Sequence, residues 1–336
     1  MREIQIIGGG LAGLSLGIGL LRRRVPVRLI ERGDYPQHKV CGEFISGVQE
    51  RTLEVLGIQV ALEGAQMLEQ MSWWIAGKKV TDEVLPTPAR GLSRFVLDRR
   101  LAQMFVELGG DLETRKSWRG EITEGVVVAS GKRKRGAKKW IGLKLHYSNI
   151  DVKGLEMHSA GGGYAGLANI ESNKVNVCAL FELNKEIKGE QLLEKYMRAN
   201  GLGYLAERLE LADRDDVSAS AIAGFDFGAQ CNTDGFAVGD AQYMIPPFTG
   251  NGMSMALESS AIALPFLQGY SEGKSSWDEA SVDYNKAKKD YFQKRCGLAA
   301  GLHPLFFNSL SQLLLGQLGK RSLFPTSFLF EQLRTP

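Results

Sequence analysis

Three glycines and one acid near the start of the chain have the types and spacing that bind a dinucleotide. GGGLAG places Gly8, Gly10 and Gly13 in GxGxxG order, with Leu11 and Ala12 completing the turn. In that pattern the first glycine permits a tight turn and the second lets backbone approach a pyrophosphate. The third lets a helix pack close to a strand. Glu31 follows about 20 residues on, where a carboxylate accepts hydrogen bonds from both ribose hydroxyls of an adenine nucleotide. The same charge repels a 2′-phosphate, so the tightly held nucleotide is expected to be FAD or NAD, not NADP.

A second set lies far along the chain. Residues 236–257 read FAVGDAQYMIPPFTGNGMSMAL: a strand, Gly239-Asp240, a proline-rich loop and a helix starting near Gly250. Asp240 at a strand end suits the ribityl hydroxyls of a flavin, and Gly250 and Gly252 let backbone approach its ring. The positive end of the helix stabilises the anion that reduced flavin carries at its pyrimidine end. This second set selects FAD over NAD. Between the two, PQHKVCGEFIS holds Lys39, Cys41 and Glu43, three groups able to donate protons near a flavin. Plainer roles compete with that one: Cys41 packing on the ring, and Lys39 and Glu43 pairing with each other or with solvent. His146, in GLKLHY, either faces a substrate pocket or is a satisfied structural histidine.

These groups need particular elements to hold them. Glu3 to Ile7 is expected as a buried strand running into the glycine turn. Leu11, Leu14, Ile18 and Leu21 then recur at helical spacing, with Gly17 as a close-packing position. Arg22, Arg23 and Arg24 close that helix, where cations suit its negative end. A second strand, Val27 to Ile30, delivers Glu31. GGGYAG, with Gly161, Gly163 and Gly166, also matches GxGxxG, but no buried strand precedes it and VNVCALFEL after it alternates like a strand. A turn near a sheet is expected there, leaving one dinucleotide fold.

The two ends together resemble the p-hydroxybenzoate-hydroxylase-like superfamily of flavoproteins. PQHKVCGE is further similar to the PxxKxCGE segment of geranylgeranyl-reductase-like members, and GLSRFVLDRRL to their arginine-plus-LD motif. The resemblance covers the chain to roughly residue 290. It implies an α/β fold: a Rossmann-type FAD-binding domain with an inserted β-sheet substrate domain and a helical C-terminal segment. The FAD domain is expected to be discontinuous over 1–65, 90–135 and 224–285, the substrate domain over 66–89 and 136–223, and the C-terminal segment over 286–336. The resemblance places Ala12, Glu31, Cys41, Gly42, Asp240, Gly252 and Met253 against FAD, Arg32 beside the adenine and Arg94 on the pyrophosphate. It also has Asp98 starting a helix. Three departures accompany it. Ser130, in VVVASGKRKR, stands where many members have aspartate, the stretch from Trp118 to Val126 is short, and the aromatic YxWxFP segment of prenyl reductases is missing. GGGYAGLANIE stands in that segment's place along the chain, keeping Tyr164 but no tryptophan.

One Rossmann unit excludes the disulfide-reductase arrangement with a second nicotinamide-binding fold. The resemblance implies NAD(P)H or a reduced carrier protein as transient electron donor. Two reactions follow: reduction of a carbon–carbon double bond, placed first on the KxCGE segment, or oxygen-dependent hydroxylation of an aromatic ring. A flavin-bound sensor is the non-enzymatic alternative. The WxWxIP segment of many flavin halogenases is absent, and Trp73-Trp74 is expected to support the substrate sheet.

Of 336 residues, 44% are hydrophobic and 24% charged, as in a folded enzyme with more than one core. A net charge of +3 points to no nucleic-acid partner. The local basic run Lys132–Arg135 with Lys138 and Lys139 reads as a solvated loop, a docking point for a nicotinamide phosphate, or a contact for anionic lipid. Cys41, Cys178, Cys231 and Cys296 have no CxxC spacing, so no metal site is expected and a reduced, cytoplasmic setting is. With so early a strand no signal peptide is expected, and no apolar run reaches the ~18–20 residues needed to span a bilayer. The tail HPLFFNSLSQLLLGQLGKRSLFPTSFLFEQL is dense in Leu and Phe, with Lys320 and Arg321 between apolar stretches. It is expected to form short helices that cap the FAD domain or touch a membrane interface. With the family resemblance, it tilts the expected substrate toward a lipophilic small molecule such as an isoprenoid or polyketide. The sequence leaves the oligomeric state open.

Overall fold

The computed structural model describes residues 1–131, 139–225, 235–242 and 245–307. Of the features above, the basic run from Lys132 to Lys138, Cys231 and the apolar tail from 308 to 336 lie outside the described residues. β1 (Ile4–Ile7) and β2 (Val27–Ile30) flank helix α1 (Leu11–Leu21), as the glycine pattern requires. β3 (Phe44–Ile45) and α2 (Glu50–Leu56) lead into a long hairpin of β4 (Gln66–Ile75) and β5 (Lys78–Gly91). After α3 (Arg94–Glu107) come β6 (Asp111–Glu113) and β7 (Val126–Val128), joined without a further strand. Next are β8 (Trp140–Ser148), β9 (Leu155–Ala160), β10 (Gly163–Ile170) and β11 (Lys174–Glu182). Helices α4 (Leu192–Ala199) and α5 (Gly203–Glu210) precede β12 (Asp213–Phe225). β13 (Phe236–Ala237), α6 (Gly252–Ser271) and α7 (Trp277–Phe307) complete the described chain.

The strands form two sheets. The first is parallel with order β13-β7-β1-β2-β6. Its central strands IQII, VRLI and VVV are apolar runs because helices or chain cover both faces. Strand order reverses between β1 and β7, and in open α/β sheets ligands sit beyond the carboxyl ends of the strands at such a point. Helix α1 is buried from Leu11 to Leu20. A Cβ on Gly17 would lie 2.5 Å from the Phe105 ring of α3, which explains the small residue there.

The second sheet has order β12-β8-β11-β10-β9-β4-β5-β3 and is antiparallel except where β4 meets β9. One face packs on α4 and α5 through Leu143, Leu145, Val175, Val177 and Phe181. Because side chains alternate along a strand, Lys144, His146, Asn176 and Cys178 point to the opposite face. The second GxGxxG match belongs to this sheet. Gly162, at φ +85°, turns the β9–β10 hairpin, and Gly163 and Gly166 lie inside β10 with no helix after them.

Three differences from the sequence reading have local causes. Helix α3 starts at Arg94, not Asp98: the Ser93 side chain accepts from the Val96 amide at 3.2 Å and caps it. Strand β6 went unforeseen because DLE is a short, partly exposed edge segment without an apolar run. Helix α7 runs unbroken across residue 286, where the C-terminal segment was expected to begin. Among the described residues no helix is long and apolar enough to cross a membrane, and no group of acid, His and Cys side chains could hold a metal.

Candidate functional site

The glycine turn forms a cradle at the carboxyl end of β1. Gly8 has φ +107°, and a Cβ there would lie 2.5 Å from the Ala129 carbonyl at the end of β7. A Cβ on Gly13 would lie 2.0 Å from the Gly8 carbonyl, so strand and helix meet only because both residues lack side chains. Gly10 begins α1 without any side chain capping its free N–H groups, as a pyrophosphate site requires. Glu31, at the end of β2, is fixed by backbone: it accepts from the Gly9 amide at 2.6 Å and the Gly33 amide at 2.8 Å. The Tyr35 hydroxyl donates to the Gly9 carbonyl at 2.5 Å and closes the far wall. Arg32 is exposed at the edge of this group.

Arg94 reaches the same turn, its guanidinium 3.9 Å from where a Gly10 Cβ would stand. Asp98, one helical turn on and fully buried, grips it bidentately at 2.7 and 2.8 Å. Lys39 donates to the same carboxylate at 2.9 Å. Burial alone would raise the Asp98 carboxyl, but Arg94 and Lys39 outweigh it and hold it below the usual carboxylate range. The sequence alternative in which Lys39 pairs with Glu43 is thereby replaced: Lys39 serves the arginine.

The second set of expected contacts converges next to the first. Gly239, at φ +62°, would place a Cβ 2.9 Å from the Ala12 Cβ, which brings Asp240 to the head of α1. Asp240 is exposed there. The Phe44 ring bridges the two glycine loops, lying 3.0 Å from a Cβ on Gly42 and 2.7 Å from one on Gly250. The Ser254 hydroxyl donates to the Ser46 carbonyl at 2.5 Å and ties the head of α6 to the same loop. Met253 is buried behind it, and around Gly252 there is open space. These residues fit FAD: a phosphate turn, an acid for a ribose, an arginine at the pyrophosphate, and small residues where a ring must approach backbone.

Where this loop meets the second sheet lies a buried charged cluster. The Glu43 carboxylate has no exposed surface and sits 2.6 Å from His146 Nε2. Its other oxygen accepts from the Arg94 amide at 3.0 Å and lies 3.4 Å from Lys144 Nζ. Lys144 in turn lies 3.1 Å from His38 Nδ1. His38 is partly exposed and stacks on Phe95 with ring centroids 4.5 Å apart. Burial lowers the Lys144 ammonium in spite of Glu43, and burial with Lys144 beside it lowers His38. The Asn176 amide donates to the Cys41 carbonyl at 3.0 Å, and burial pushes the Cys41 and Cys178 thiols up. His146 thus faces the loop and not the core beneath α4 and α5. Lys144, His38 and Asn176 escaped the sequence reading, although Lys144 stands two residues before His146 and must share its face.

A cleft of about 470 Å³ lined by Arg2, Glu124 and Trp277 opens at the other end of the first sheet, beside the amino ends of β1 and β7. That is the end where open α/β sheets do not bind their nucleotides.

No protein-family model and no curated protein matches the sequence. Solved structures do match over nearly the whole chain. The flavin-dependent brominase Bmp2 superposes with TM-score 0.75 at 16% identity, covering 98% of this chain and 92% of its own. The fold is that of the p-hydroxybenzoate-hydroxylase-like flavoproteins. p-Nitrophenol 4-monooxygenase PnpA from Pseudomonas putida DLL-E4 is similar with TM-score 0.76 at 13% identity, covering 100% and 99%. A flavoprotein/dehydrogenase from Cytophaga hutchinsonii gives 0.73 at 14%, covering 99% and 96%.

Proposed function

We propose that the protein is an FAD-dependent oxidoreductase that hydroxylates a ring-bearing, largely apolar small molecule, using NAD(P)H as electron donor. The observation that carries this reading is the continuity of the cradle. Gly8, Gly10 and Arg94 meet at the head of α1, Gly239 packs on Ala12 there, and the Phe44 ring joins the KVCGE loop to Gly250 just before α6. FAD bound along that cradle would supply hydride acceptance and, once reduced, oxygen activation. The protein's own residues orient and protect. Glu31 and Arg94 fix the nucleotide end, and the head of α6 offers partial positive charge to the ring. The substrate would lie beside the KVCGE loop, which covers His146 and Asn176 on the polar face of the second sheet. Structural likeness to a monooxygenase and to a flavin-dependent brominase supports oxygen chemistry over simple reduction, reversing the order in which the sequence placed them.

Reduction of a carbon–carbon double bond is the second reading. It is favoured by Cys41, whose thiol faces the Arg94 guanidinium and the Glu43 amide in the KVCGE loop. A panel of phenols and enones separates the two. Hydroxylation predicts that a phenol accelerates NAD(P)H oxidation and that one atom of ¹⁸O₂ enters the product. If instead only enones are consumed, without oxygen, the reductase reading replaces it.

A further inference from the structure

We infer that Glu43, His146, Lys144 and His38 form a proton relay joining solvent to the flavin end of the site. The inference rests on the flavin-dependent hydroxylation proposed above. That reaction consumes NAD(P)H, O₂, one proton and the substrate C–H, and yields NAD(P)⁺, the C–OH product and water. The proton must come from solvent. Phe44 joins Gly42 to Gly250 where a flavin ring would lie, and Glu43 stands beside it in the same loop, packed on the second sheet through His146.

The cluster supplies a path in steps of hydrogen-bond or near-contact length. His38, partly exposed, lies 3.1 Å from Lys144. Lys144 lies 3.4 Å from one Glu43 oxygen, and the other oxygen lies 2.6 Å from His146. Lys144 also reaches the Ser218 carbonyl at 3.4 Å, and the Ser218 hydroxyl accepts from the His146 backbone amide at 2.7 Å, so β12 holds the Lys144 side chain and the strand that carries His146. Such a group is costly to bury, and well-packed apolar residues often serve stability as well or better. Its position explains its presence: every member faces the junction of loop and sheet, and Glu43 also accepts from the amide of Arg94.

The charges around the relay favour a mobile proton. Burial shifts Lys144 and His38 toward their neutral forms, so each holds its proton less tightly than it would in water. Asp215, from β12, favours a proton on His38 and is itself bridged to Lys174 at 2.7 Å. Cys41 and Cys178 border the inner end as thiols, since burial raises both. No other carboxylate among the described residues contacts His146 by hydrogen bond or ion pair.

Two readouts test the relay. The first is the reoxidation of dithionite-reduced holoprotein by oxygen at varied buffer concentration. In that step bound reduced flavin, O₂ and one proton give oxidised flavin and H₂O₂. His38→Ala should slow it by about 10²-fold at low buffer, the scale of a lost acid–base group. Added imidazole should restore the rate, whereas wild type should ignore the buffer. A structural role for His38 would give slowing without rescue, and that result, or no slowing at all, overturns the relay. The second readout needs no turnover: histidine ring resonances followed by NMR from about pH 5 to pH 9. The chain has four histidines, so the spectrum is simple. Glu43→Gln should lower the titration of His38, which Glu43 raises, and an unchanged titration would contradict the coupling. Absence of bound flavin would sink the proposed function itself, and the NMR result would still report on the cluster.

Discussion

The nucleotide end turns on a few atoms whose roles differ in kind. Glu31 is held by two backbone amides, so its carboxylate is oriented before any ligand arrives. Glu31→Ala removes hydrogen bonds to a charged acceptor worth about 1.5–3 kcal/mol, and FAD affinity should fall about 10–100-fold. Isothermal titration of the apoprotein with FAD checks this. Asp98 acts through Arg94. Its folded-state value is depressed, so its contribution is complete above the unfolded value near ~3.9 and is lost as pH falls through the folded value. Acid release of flavin should therefore set in only below about pH 4. Asp98→Asn leaves Arg94 and Lys39 without their shared carboxylate and should release flavin at neutral pH. Flavin fluorescence along a pH titration reads both, and an unchanged release curve for the variant would refute the role given to Asp98.

Helices set the frame in which those atoms meet. α7 is fastened to α6 by Arg295 and Glu258, 2.6 Å apart and each only 3% exposed. Around them Ile245, Met255, Phe292 and Ala299 pack together, so α7 braces both the loop before α6 and α6 itself. Arg295→Ala strands a buried carboxylate and should cost about 3–5 kcal/mol in urea unfolding. The double replacement Arg295→Met with Glu258→Leu should recover much of that loss. If the single and double variants lose equally, packing and not charge holds α7. What the sequence discloses at this scale follows the physics of each element. The strand–turn–helix–strand at the N-terminus was legible because glycine spacing, apolar period and Glu31 agree. The β13-to-α6 unit was legible from Gly239, Asp240 and the glycines before α6. β6 was hidden because three residues at a sheet edge leave no period. The Glu43–His146 and Lys39–Asp98 pairs were hidden because they join residues 103 and 59 positions apart, a distance that no local pattern spans.

As a whole, the molecule is a parallel nucleotide sheet set against a larger antiparallel sheet, with the KVCGE loop as the seam. That arrangement puts the cradle on one side of the seam and the polar sheet face on the other, and the proposed function has flavin and substrate meet beside it. The polar residues at the seam are buried, which suits a substrate that leaves water to react. The measurement that tests the account most directly is the flavin content of the purified protein. Released FAD should be stoichiometric with chain in wild type, and should drop to a small fraction in Glu31→Ala and Asp240→Ala while circular dichroism shows both still folded. A wild-type protein that takes up no FAD from excess, or variants that hold it as tightly as wild type, would contradict the cradle and the oxidoreductase built on it.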